Sequence, residues 1–454
     1  MVQRSSLVSD RNVTTYEDRQ ALLSFGDRWL PDVLDATLAY ARTRDYKGWD
    51  YGDGMSSKLL QALPFESRWV NLAIQELAKR PPINIRPLLL IEQRRNYKGT
   101  SLFALANLNA HQFAQETERE QSTDYLSEAK ALADWLVQNR SVGYHGFCGG
   151  HKHEIQHLEK KGVPNDPDVV STSFAVKALL AAAPHDPIYG PIARTASEFV
   201  VEDLDYREVD GGAKINYHMN HPDTYYTLNS GALGARLLVD IYEQYGDEDD
   251  LERATAILDF IASQQAPIGG WTYRVPASSS HLSMDNHHNG FIIDAFLRYR
   301  AVTGSSRYDE TTERGLEFYR TVLFEPDGAP NWDESKAYPR DIHASATAIA
   351  VFTAAADLET ASRILSWTLE NLYAGDGRFY YRKHRFYTAK TTLMRWAQAW
   401  MAYAMSEYLN AVVRTTDGQL NVSDVETNDE TEGENRIDQI GSVRPEKANS
   451  NGRV

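Results

Sequence analysis

The sequence predicts an all-α fold, an (α/α)6 toroid of six helical hairpins. Three observations predict it. Helical patterns come in pairs that recur about every 50 to 70 residues, the mark of a helical-repeat array. The first helix of a pair is apolar all round, as around Phe174, Val176, Leu179 and Leu180, while its partner is amphipathic, as over 250–261. That asymmetry suits an inner and an outer ring. Loops within pairs are short and loops between pairs are long, so alternating helices send every long loop to one face.

Taken in order, residues 1–15 are polar and expected to be disordered. A helical stripe through Leu22, Leu23, Trp29, Leu30, Val33, Leu34 and Leu38 predicts one helix over 16–43. The glycines of 47–54 stop it. A further helix is expected near 56–79, before Pro81, Pro82 and Pro87 impose irregular chain. Paired helices then read at 99–117 and 121–140, 171–183 and 187–204, 225–246 and 248–265, 287–304 and 306–325, and 343–356 and 358–374, with a last one at 390–412. With the N-terminal helices this makes six pairs in a single domain over 16–412. An open solenoid is the rival, because periodicity does not decide closure. The acidic polar tail, 413–454, lacks aromatics and is expected to be disordered.

The formal net charge is −16 and the sequence shows no local basic patch, so neither nucleic acid nor an anionic membrane surface is expected as a partner. Arg outnumbers Lys and acidic residues crowd the short turns, a balance that fits a salt-adapted, halophile-like cytoplasm. The single cysteine, Cys148, excludes an internal disulfide. The longest apolar stretches, such as 88–91, are too short to span a bilayer, and the N-terminus has no signal-peptide run. A cytoplasmic protein is expected, with peripheral contact with a membrane glycosylation machinery left open.

The histidines locate the site. Of 13, all but His111 and His185 fall in the long loops or the first turn after them. Loops carry function on a rigid scaffold, so the mouth of the toroid on that face is the expected site. The stretch 269–288, GGWTYRVPASSSHLSMDNHH, ends one helix and opens the next. Asp285 there is either an N-cap or a functional carboxylate. Trp271 and Asn286 are possible substrate contacts, and of His287 and His288 at least one is expected to face the cavity. Tyr338-Pro-Arg-Asp-Ile-His343 supplies Arg340, a natural carboxylate binder, with Asp341 and His343 beside it. Residues 216–226 supply Tyr217, a candidate acid or base, and His218; Tyr273 is a second such tyrosine. Tyr381, Arg382 and Lys383 suit an anionic sugar. The stretch 151–157, with His153 and Glu154, does not match HExxH or another tight zinc pattern, so a substrate loop is expected rather than a metal. No cofactor is expected. Asp247-Glu-Asp-Asp250 resembles a diphosphate-binding cluster but lies on the short-loop face, where helix capping explains it.

The repeated Gly-Trp and Gly-Tyr tips followed by apolar helices resemble the (α/α) toroids of six-hairpin glycosidases, polysaccharide lyases, terpenoid cyclases and the C-terminal domains of glucuronyl C5-epimerases. Pro82-Ile-Asn-Ile-Arg-Pro87, Asn96-Tyr-Lys-Gly-Thr-Ser-Leu-Phe103, Pro167-Asp-Val-Val-Ser-Thr-Ser-Phe174 and Asp285-Asn-His-His-Asn-Gly-Phe291 resemble, more narrowly, a prokaryotic family of polysaccharide and glycosylation gene clusters. The epimerase resemblance implies tyrosines and an arginine-bound carboxylate around a cleft. It implies a uronate C5-epimerase on an acidic oligosaccharide, polysaccharide or lipid-linked glycan. In that scheme Arg340 or Arg382 meets the carboxylate, and Tyr217 or Tyr273 works with His287 or His288 as acid and base. A hydrolase on the same scaffold would instead need a carboxyl pair, Asp285 and Asp341, with Glu154 or Asp223 as substitutes, and a lyase would give unsaturated products that absorb in the ultraviolet. A non-catalytic glycan binder is the third expectation.

Overall fold

The computed structural model describes residues 16–156, 161–219 and 223–415. Six nearly all-buried helices form the inner ring: Tyr97–Glu116, Val169–Ala182, Leu228–Tyr245, Asn286–Thr303, Ile342–Ala354 and the helical run 394–415. Each packs on the next, and the last packs on the first, so the ring closes. The solenoid alternative is thereby excluded. Outer partners are Tyr125–Gln138, Glu248–Ser263, Asp309–Val322, Leu358–Asn371, and a broken segment running from Tyr189–Arg194 to the π turn Phe199–Asp203. The sixth outer helix, Leu30–Arg42, belongs to the inner run that starts at Met394, so the sixth hairpin joins the two ends of the chain.

Sequence explains the local choices. Asn96, Asp168 and Asp341 cap inner helices; Asp124, Asp247 and Asp357 cap outer ones, each accepting a main-chain N–H from the first turn. The acidic run 247–250 is therefore capping, as the sequence suggests. Gly290 sets the spacing of two inner helices: a Cβ there would lie 2.6 Å from Thr347 Cγ2 and 2.6 Å from the Tyr319 hydroxyl. The long N-terminal helix expected over 16–43 is instead Tyr16–Leu23 and Leu30–Arg42. Between them Ser24–Phe25 pairs with Arg28–Trp29 around Gly26, whose φ of 65° ends the helix. The helix near 56–79 is likewise two, Lys58–Gln61 and Arg68–Lys79, interrupted at Pro64.

All six inner helices begin on the long-loop face. Short antiparallel pairs tie neighbouring loops there: Tyr226–Thr227 with Arg274–Val275, and Arg340–Asp341 with Arg382–Lys383. At the opposite end the barrel interior is filled by ions. Arg298 Nε donates to Asp240 at 2.6 Å, Arg236 pairs with Asp294, and Lys177 bonds Tyr403. That end is a plug; the other is the mouth. The segments expected to be disordered, 1–15 and 413–454, lie outside the described residues except for 413–415, which continue the last helix.

Candidate active site

At the mouth, Asn286–Thr303 and Ile342–Ala354 place three imidazoles together. The His287 ring lies 3.9 Å from that of His288 and stacks on that of His343 at 4.5 Å, centroid to centroid. Asp285 occupies the N-cap position but makes no capping bond. Its carboxylate lies 2.8 Å from His288 Nδ1 and 3.4 Å from His287 Nδ1. The cap expected at this position has been given up for the histidines. The Tyr273 ring covers His288 at 4.5 Å. The His287 and His288 side chains keep 12% and 17% of their surface accessible, whereas His343 is sealed behind them and neither of its ring nitrogens has a hydrogen-bond partner among the described residues.

Cations surround this cluster. Lys98, in the first turn of its inner helix, holds its ammonium 5.5, 5.7 and 5.6 Å from the ring centroids of Phe174, Phe291 and Trp400. Among the described residues it has no hydrogen-bond or carboxylate partner. Burial, then Arg395, lower its pKa to about 7. Arg395 donates to Asp50 at 2.7 Å, and Arg382 to Asp341 at 2.5 Å. Burial first, then neighbouring His288, Lys98, Arg382 and Arg395, push His287 well below its ordinary pKa; burial and His287 do the same to His343. These imidazoles are neutral bases in a positive field. Burial raises Tyr217 well above the usual phenol value and Tyr273 to about 12, so both keep their protons.

The other sequence candidates divide sharply. Arg340 does not face the mouth. In the strand Arg340–Asp341 successive side chains point to opposite faces, so Asp341 and its cross-strand partner Arg382 turn inward while Arg340 and Lys383 turn outward. Arg340 lies over Tyr338 and the outer-ring Trp367, in a surface cleft with Lys383 and Glu370. Trp271 is core: it is fully buried, donates to the Ile261 carbonyl at 2.9 Å and stacks on Phe296. Asn286 is also structural, its amide donating to the carbonyls of Leu323 and Asn331. Asp341 is consumed by the His343 main-chain N–H at 2.9 Å, Trp396 Nε1 at 2.8 Å and Arg382. Tyr381 is buried beside Arg382 and Tyr51. His218 bonds the Met219 carbonyl and packs on Tyr217, next to the Asp168 cap. Glu154 and Asp223 sit in rim ion pairs with Lys161 and Arg207. His157 and His221 lie outside the described residues.

His153 gathers with His151 and Asp50 on the loop side of the mouth. The ligand atoms of Asp50, His151 and His153 lie within 4.8 Å of one another, as do those of Asp285, His287 and His288. Both sets have donors that suit a divalent transition metal. In the first, however, the Asp50 carboxylate already accepts from Arg395 and Asn96, and in the second Lys98 and Arg382 oppose a further cation.

His153 carries a stability prediction. Burial lowers it to about 4, against 6.5 unfolded. The unfolded chain therefore takes up the proton first, and stability present at neutral pH is lost as pH falls from about 6.5 towards 4. Between pH 7 and 5 the wild type is expected to lose about 2 kcal/mol relative to His153→Phe. Parallel urea midpoints for the two proteins at both pH values would show no role for His153.

Lys98, Arg395, Asp50 and Tyr51 were not singled out by the sequence. The one signal was Lys98 standing at the start of the most buried kind of helix, where an unpaired lysine is costly.

No protein-family model matches the sequence, and no curated protein matches it. The chain is similar in structure to several solved proteins. Cellobiose 2-epimerase from Bacillus thermoamylovorans matches with a TM-score of 0.54 and 13% identity, over 70% of this chain and 89% of that one. Unsaturated glucuronyl hydrolase from Bacillus sp. GL1 matches with 0.52 and 12%, over 86% and 96%. The GH76 α-mannanase of Bacteroides thetaiotaomicron matches with 0.51 and 17%, over 69% and 85%. At these identities the likeness is one of fold, the α/α toroid.

Proposed function

We propose that the protein is a carbohydrate-active enzyme, a uronate C5-epimerase that removes and returns a proton beside a sugar carboxylate. The observation that carries this reading is the group of three imidazoles at the mouth, His288 bonded to Asp285 and His287 and His343 stacked behind it, inside a ring of cations. Proton abstraction at a carbon next to a carboxylate needs a base and a means of holding an enediolate. His288, its Nδ1 turned to Asp285, presents Nε2 as the base, with His287 alongside. Lys98 and Arg395 meet the carboxylate and the charge that develops on it. The proton is returned by Tyr217 or Tyr273, both of which burial keeps protonated at neutral pH. Solved proteins of this fold named as sugar epimerases and a glucuronyl hydrolase put both the reaction class and the sugar class within reach of the scaffold. No step requires a cofactor.

The hydrolase alternative loses its carboxyl pair, because Asp341 is fully engaged by donors and Asp285 serves the histidines. The test is incubation with glucuronate-containing oligosaccharides in D2O. Deuterium is expected at C5 of both epimers. Product without deuterium, new reducing ends, or ultraviolet-absorbing unsaturated sugars would each overturn the reading.

A further inference from the structure

The helix Arg68–Lys79, sequence RWVNLAIQELAK, is amphipathic, and a surface helix of that kind normally turns its apolar stripe to the core. This one is reversed. Its buried residues are Asn71, Gln75 and Ala78. Asn71 Nδ2 donates to Gln156 Oε1 at 3.0 Å, Gln75 Nε2 to the Gln156 carbonyl at 3.0 Å, and the Gln156 N–H returns a bond to Gln75 at 2.9 Å. These amide bonds fix the rotation of the helix, leaving Trp69, Ala73 and Leu77 outward at i, i+4 and i+8; Trp69 is 66% exposed.

The neighbouring turns continue the pattern. Phe65, Ile83 and Leu88 stand exposed, Leu88 at 76%. The tip of the 382–389 hairpin adds Phe386, 89% exposed with the Arg385 guanidinium over its ring. The two segments are tied together: the Tyr387 hydroxyl donates to the Arg80 carbonyl at 3.1 Å, and the Lys390 N–H to the Pro82 carbonyl at 3.2 Å. Single exposed apolar residues are ordinary; six large ones on two segments that hydrogen bonds tie together are not.

Charge identifies the occupant. Leaving out Arg86 and Arg382, which are buried in ion pairs with Asp53 and Asp341, residues 58–95 hold six Lys or Arg and three Glu, and residues 377–390 hold four Lys or Arg and no acid, in a chain of net charge −16. We infer that this lip is a docking surface for an anionic lipid membrane. Separate apolar tips flanked by Arg and Lys insert at a headgroup boundary while the basic residues meet anionic lipid. A second copy docking by the same patch would set basic surface against basic surface. No helix among the described residues is long and apolar enough to cross a membrane, so the contact is peripheral. The docked lip overlies the mouth: the helix packs on Asp53–Ser56, and Tyr51 just before that turn stacks on Trp396 at 4.3 Å. Docking there brings the mouth to the bilayer surface, and it stands independently of the chemistry proposed above.

The test is sedimentation of the full chain with vesicles of phosphatidylcholine alone and of phosphatidylcholine mixed with phosphatidylglycerol. Binding to the mixed vesicles is expected, weakening as salt is raised. A Trp69→Ser, Phe386→Ser double variant is expected to lose it by roughly tenfold or more, with an unchanged melting temperature because both side chains are exposed. Absence of wild-type binding to the mixed vesicles, or equal binding by the variant, overturns the inference. So does a dimer in light scattering that Trp69→Ser dissociates while neither protein binds vesicles.

Discussion

His288→Ala is expected to slow deuterium incorporation at C5 by roughly 10²–10⁴-fold, the usual contribution of a positioned acid–base group. Its importance follows from Asp285. With the carboxylate 2.8 Å away, Nδ1 donates to Asp285, which leaves Nε2 as the nitrogen available to a substrate. Asp285→Asn keeps the shape but can donate to Nδ1, so it favours the other tautomer and is expected to lower turnover while leaving substrate affinity nearly unchanged. His287→Ala removes the neighbouring ring and exposes His343, and its effect should fall on turnover as well. Each variant is measured by single-turnover exchange in D2O beside its melting temperature. Wild-type exchange in His288→Ala, with the fold intact, would remove His288 from the chemistry.

The parts of this site that sequence reveals are those set by local pattern. Helical periodicity, cap residues and loop length act over a few residues, and they give the rings and the face that carries the histidines. His287 and His288 come together because they are adjacent at a helix start. What sequence hides is set by pairing across the chain. Whether Arg340 or Asp341 faces inward depends on the register with Arg382–Lys383, about one full repeat away. The Asp50–Arg395 contact joins residues from opposite ends of the chain. The break at Gly26 was overridden in the sequence pattern by apolar residues that continue on both sides of it. The 68–79 helix teaches a further lesson: periodicity reveals that one face is apolar, but the Gln156 amide contacts decide which face is turned inward.

Asp341→Ala is expected to destabilise the fold by about 3–5 kcal/mol, the usual cost of removing one partner from a buried ion pair. The carboxylate is almost fully buried and accepts three bonds. It caps the helix that carries His343, fixes the Trp396 indole and neutralises Arg382, whose side chain is also largely buried. Alanine leaves all three donors unsatisfied. Asp341→Asn retains an acceptor for the cap and should cost less. Arg382→Met added to Asp341→Ala should recover part of the loss, because the unpaired guanidinium is then gone. Urea midpoints of these proteins and of the Arg382→Met single variant measure this, and near-additive losses in the two single variants and the double variant would show that Arg382 and Asp341 are not coupled. The same series separates the two chemistries. If Asp341 supports the histidines, turnover in Asp341→Asn falls in step with stability. If Asp341 is a hydrolytic acid or base, Asp341→Asn folds normally and is dead, and the wild type releases new reducing ends.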